Sequence, residues 1–88
     1  MKTNYNLKEI TTTEELQMRM SGGGAVITFG DRILIAGYTY NRNGNCYYGA
    51  IYRFTTADHS IEGEIKLESI SEETFADNGH AIAWAMNN

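Results

Sequence analysis

Cys46, His59, His80 and Asp58 are the raw material this chain offers for nucleophilic or acid–base chemistry. A nucleophile needs a thiol or hydroxyl beside a base, with a third group holding that base in place. No spacing in the sequence brings either histidine to Cys46, which follows a turn signal and reads as a half-buried strand residue. Asp58-His59 reads as an Asx-type turn. Two histidines and one cysteine without ligand spacing give no metal site, and no cofactor is expected. Glu62/Glu64 and Glu72/Glu73 are paired carboxylates, but nothing around them suggests the burial that would raise one pKa, so they read as solvated charge. Ser21-Gly22-Gly23-Gly24 resembles a phosphate loop only in composition. Such a loop needs a strand before it, a helix after it and a lysine; here a helix precedes, a strand follows and the lysine is missing. The expectation is a protein that is not an enzyme.

The tyrosines carry more information. Five of six (Tyr38, Tyr40, Tyr47, Tyr48 and Tyr52) fall within one hairpin, beside Asn41, Arg42, Asn43 and Asn45. Tyrosine suits strands and packs across sheets. It also suits binding surfaces, offering large area and a polar tip for little entropy. Aromatic strands stack bases of single-stranded nucleic acid when basic residues accompany them, but only Arg32, Arg42 and Arg53 do so here.

Charge divides the chain. The net charge is −4. Through Thr55 the balance is +2; from Thr56 onward Asp58, Glu62, Glu64, Glu68, Glu72, Glu73 and Asp77 face Lys66 alone, a balance of −6. An acidic C-terminal third repels a phosphate backbone, so direct nucleic-acid binding is not expected. The same charge would steer the chain toward a basic protein. At 88 residues a single domain is expected over 1–88. A hydrophobic content of 42% argues against intrinsic disorder. No apolar run approaches the ~20 residues of a membrane span, and Met1–Lys8 lacks the apolar core of a secretory leader. A lone cysteine fits a reducing, cytoplasmic setting.

These residues must be positioned by an α+β arrangement: a short N-terminal helix, a four-stranded antiparallel meander over about 25–68, and a C-terminal helix. Residues 1–11 read as a frayed arm or an edge strand. Thr12-Thr13-Glu14-Glu15 is a capping box that opens a helix over about 13–20, and the glycine run ends it. Ala25–Phe29 and Arg32–Tyr40 flank Gly30-Asp31, a glycine-first hairpin turn, setting Thr28 opposite Ile33 and Val26 opposite Ile35. Asn43-Gly44 as the next turn sets Tyr40 opposite Tyr47 and Tyr38 opposite Gly49, with a one-residue error there expected to move tyrosines between faces. Both faces of these three strands are apolar, so something must cover each. Residues 61–68 alternate as a fourth strand. Ser69 or Ser71 would cap the last helix, with Glu72 and Glu73 in its first turn and Phe75, Ile82 and Met86 packed inward. A fifth strand at 80–86 is the alternative.

The expected role is a non-enzymatic protein-binding inhibitor, acting as a homodimer or on a protein partner. It would occlude a basic nucleic-acid-binding surface of a host protein, an antidefence role (anti-CRISPR or antirestriction) of the kind phages and mobile elements encode. Tyr38, Tyr40 and Tyr47 would be its anchors, Arg42 its tip, and Glu62, Glu64 and Glu68 its complementary charge. The alternative is a small-ligand or nucleotide-binding dimeric domain whose tyrosine-rich hairpin lines a cleft.

Overall fold

The computed structural model describes residues 7–41 and 44–88; the arm expected at residues 1–6 and the tip residue Arg42 lie outside them. The elements run η1 (Leu7–Glu9), α1 (Thr13–Arg19), β1 (Ala25–Phe29), β2 (Arg32–Asn41), β3 (Gly44–Phe54), β4 (Ile65–Phe75) and α2 (Asn78–Met86). The four strands form one antiparallel sheet in the order β1-β2-β3-β4. The architecture is the expected α+β one.

The capping box forms much as the sequence dictates. Thr12 accepts from the Glu15 amide at 3.2 Å, while the Glu15 carboxylate reaches back one residue further than expected, to the Thr11 amide. The β1–β2 register matches expectation, with Val26 opposite Ile35 and Thr28 opposite Ile33. Gly30 takes φ +64 in the turn, a region open to glycine.

The β2–β3 register differs. Asn41 pairs with Gly44, so Tyr38 faces Tyr47 and Tyr40 faces Asn45. Moving the loop by one residue changes which residues face each other by two positions. Side chains alternate with period two, so each tyrosine keeps its face; the expected exchange of tyrosines between faces does not occur.

The two apolar faces are covered by the two ends of the chain. On one, Val26, Ile33, Ile35, Tyr48, Ala50, Tyr52 and Phe54 pack with Leu7, Ile10, Leu16 and Met20 from η1 and α1. Leu7 and Leu16 are fully buried, so the segment from Leu7 is part of the core rather than a frayed arm or edge strand. The buried Tyr52 hydroxyl donates to the Leu7 carbonyl at 2.7 Å. On the other face, Leu34 and Ile51 pack with Ala85, Ile82 and Trp84 of α2.

β4 departs most from the sequence reading. It begins at Ile65, with Ile61 and Glu62 in the preceding turn, and it continues to Phe75. Ser69, Ser71, Glu72 and Glu73 are therefore strand residues, not a cap and first helical turn. The cause is two irregularities. One extra residue lies between Leu67 (opposite Tyr52) and Ser69 (opposite Ile51), and a second shift separates Ile70 (opposite Ala50) from Thr74 (opposite Tyr48). Such bulges break the alternation by which a strand is read. Ser71 stitches the second: its buried hydroxyl accepts from the Gly49 amide at 2.9 Å and donates to the Glu73 carbonyl at 2.7 Å. Helix α2 starts only after Asp77, whose carboxylate accepts from the His80 amide at 2.8 Å. Residues 80–86 are helix, so the fifth strand does not form. The buried residues of α2 are Ala81 and Ala85; Met86 is exposed, and Phe75 closes β4 instead of lying on the helix. Gly49 admits this close approach, since a Cβ there would strike the Trp84 ring and the Ala81 carbonyl.

Replacing Ser71 by Ala should leave the Gly49 amide without its acceptor and lower unfolding free energy by about 1–3 kcal/mol, read as a fall in urea midpoint at unchanged m-value. Burial pushes the Tyr52 hydroxyl above the ordinary tyrosine range. The unfolded chain therefore loses this proton first, and the associated stability is intact below about pH 10 and declines as pH rises beyond it. Tyr52→Phe should flatten that alkaline decline, as measured by denaturation at a series of pH values.

Candidate functional site

The hairpin tyrosines meet the end of α1 at a concavity of about 280 Å³ lined by Arg19, Met20, Gly22, Gly24, Tyr38 and Tyr48. Each wall has a local cause. The helix ends because Gly24 donates to the Met20 carbonyl at 3.0 Å and the Ser21 hydroxyl donates to Met18. Gly23, at φ +120, turns the chain with its Cα close against Tyr38, where a Cβ would lie 3.6 Å from the ring. Tyr38 is itself set by Tyr47, an edge-on contact with centroids 5.7 Å apart at 70°. Tyr48 lies on the opposite face from Tyr38, and its ring crosses Gly37, where any Cβ would overlap it. The result is a guanidinium-bearing helix end, a thioether, glycine backbone and two aromatic rings around one opening. Ligand pockets start at roughly 300 Å³, so this opening suits one ring system rather than a dinucleotide.

The expected binding residues fall in two places. Tyr38 (44% exposed), Tyr40 (76% exposed) and the half-buried Tyr47 share one face at the hairpin end. Glu62, Glu64 and Glu68 lie toward the far end of the sheet, and Arg42 is outside the described residues. Glu62 sits in the turn before β4, where its amide donates to Ser60. Glu64 bridges Thr12 through its backbone. Glu68 accepts from Arg53 Nε at 2.8 Å, while Arg53 Nη1 donates to Asp31 at 2.7 Å. The tyrosines and the carboxylates are thus not gathered into one cluster.

The remaining chemical candidates are dispersed as well. Cys46 is buried near one end of β3. His59 stacks on Phe54 at the other, with centroids 4.3 Å apart, and eight residues of strand span about 26 Å. His80 lies on Asp77, with Nδ1 2.9 Å from Oδ1. The His80 amide, then its ring, hold the Asp77 carboxyl below its usual range. Among the described residues no three His, Cys, Asp or Glu side chains cluster as a metal site, and no helix is long and apolar enough to cross a membrane.

Arg19, Met20, Gly22, Gly24 and Tyr48 were not singled out by the sequence as site residues. Their union with Tyr38 is tertiary, since the α1 end and the hairpin are separated along the chain. One local signal did exist: Gly37 inside a strand otherwise rich in bulky residues marks a place where something crosses the backbone.

Neither the curated proteins nor the solved structures compared with the chain give a match. A family model does match, over residues 7–88, the stretch that begins at the first buried residue of the core and takes in every element of the fold and every wall of the concavity. The chain belongs to the family described as nucleotide modification associated domain 4.

Proposed function

We propose that the chain is a non-enzymatic nucleotide-binding module serving a nucleotide-modification system in the cytoplasm, with the Arg19–Tyr38–Tyr48 concavity as its site. The observation that carries this reading is the composition of that opening. Aromatic rings offer stacking surface to any base, and stacking is worth about 1–3 kcal/mol per base. A guanidinium matches phosphate oxygens through paired donors. Glycine backbone at Gly22 and Gly24 lets a ligand approach closely. The family to which the chain belongs supports a nucleotide as the ligand class. No nucleophile, base pair of carboxylates or metal set lines the opening, which favours binding over turnover.

A thermal-shift series with nucleoside monophosphates tests it. A ligand at a hundred times its Kd stabilises by about 2.7 kcal/mol, which for a chain of this size raises Tm on the order of 10–20 °C. Tyr38→Ala should abolish the shift for nucleoside and nucleotide alike, whereas Arg19→Ala should remove the advantage of the nucleotide over the nucleoside. Recovery of the nucleotide unchanged in mass is expected. A flat series across all bases would overturn the proposal.

A second reading rests on the 76% exposure of Tyr40 at the hairpin end: an interface for a protein partner, as in inhibitors that occlude a basic nucleic-acid-binding surface in an antidefence role. Under it, Tyr38→Ala/Tyr40→Ala should abolish partner capture while the fold persists, and the thermal-shift series should stay flat.

A further inference from the structure

β1 is an edge of the sheet. Natural edge strands are blunted by charge, proline or bulges. This one has none of these: residues 20–30 carry no ionisable side chain and no proline, and the β1–β2 register is regular throughout. Among the described residues its backbone bonds only to β2. Its side chains are also uncovered, with Ile27 44% and Phe29 58% exposed on the face that carries α2. Trp84 leans over β4, beside Ser69, Ile70, Glu72 and Glu73. Ile82 and Met86 lie on the opposite flank of that helix, toward β1, and Met86 is 55% exposed. The other edge is different. Thr11 and Thr12 occupy the start of β4, and its remainder bears exposed Glu68, Glu72 and Glu73.

We infer that β1 is the docking edge for a second copy of the chain, paired antiparallel about a two-fold axis at Ile27 to make a continuous eight-stranded sheet. Two features select a copy over another strand. The first is shape. The symmetric register sets Ala25 opposite Phe29 twice, a small side chain facing a large one, with Ile27 on Ile27 between them and Val26 facing Thr28 on the reverse face. The second is charge. The chain carries −6 from Thr56 onward, concentrated at and beyond the β4 edge. Pairing through β1 leaves seven strand spacings between the two β4 strands, about 34 Å. That exceeds several Debye lengths at physiological salt, so two acidic chains meet through their only uncharged edge. The inference is independent of the nucleotide reading.

Sedimentation velocity and crosslinking test it. The wild-type chain should sediment at twice its 9.9 kDa mass. Ile27→Lys/Phe29→Lys sets like charges beside each other across the axis and should sediment as a monomer with unchanged far-UV circular dichroism. Should that variant not fold, cysteine pairs decide. In a Cys46→Ser background, Ile27→Cys should oxidise to a covalent dimer, because residues facing across the axis sit about 4.5–5.5 Å apart between Cα atoms, within disulfide reach. Phe29→Cys should not, its copies lying about 14 Å apart. A monomeric wild type at high micromolar concentration, a lysine variant that stays dimeric, or crosslinking at residue 29 rather than 27 would each overturn the inference.

Discussion

A sheet that is apolar on both faces has to be covered twice, and in this chain the covering comes from the two ends. Leu7, Ile10 and Leu16 close one face, and Ala81, Ile82, Trp84 and Ala85 close the other. Fully burying a large aliphatic side chain contributes about 1.5–3 kcal/mol, so the three N-terminal residues alone supply a sum comparable with the whole stability of a small domain. Neither terminus is therefore dispensable. The hydrogen bond from Tyr52 to the Leu7 carbonyl fixes where the N-terminal cover sits; the small side chains of Gly49, Ala81 and Ala85 fix how closely the C-terminal one descends.

The concavity follows from this covering. Helix α1 must end where β1 begins, and a short glycine turn makes that connection beside Tyr38. Arg19 comes to the hairpin because Leu16 and Met20, on the same helix, are held in the core. A change in the seating of α1 would move the guanidinium relative to both rings. Site and core share one mechanical part.

Much of this was legible in the sequence wherever interactions are local. The capping box, the Gly30-Asp31 hairpin with its register, and the two apolar faces rest on turn chemistry and period-two alternation. Reading failed where the period itself changes. Ile65, Leu67 and Ile70 face the same core, yet the last gap is three residues, which imitates helical spacing and made Ser69 and Ser71 resemble caps. The tyrosine hairpin announced itself by composition. The walls facing it did not, because Arg19 and Gly22 become neighbours of Tyr38 only through tertiary packing. Membership of the nucleotide modification family was equally beyond residue-level inspection, since no catalytic or phosphate-loop motif advertises it.

The two irregularities in β4 differ in arithmetic. The one after Leu67 inserts a single residue and reverses which positions face which side; the one after Ile70 adds two and restores nothing. Ile65 thus faces the N-terminal cover, while Phe75, ten positions on and of the same parity, lies on the side of Tyr47 and α2. That odd insertion is what delivers the last helix to the sheet's uncovered side. The segment from Leu67 to Phe75 therefore behaves as a counter: its composition is free to drift, but loss or gain of one residue would send the chain's end to a face already occupied.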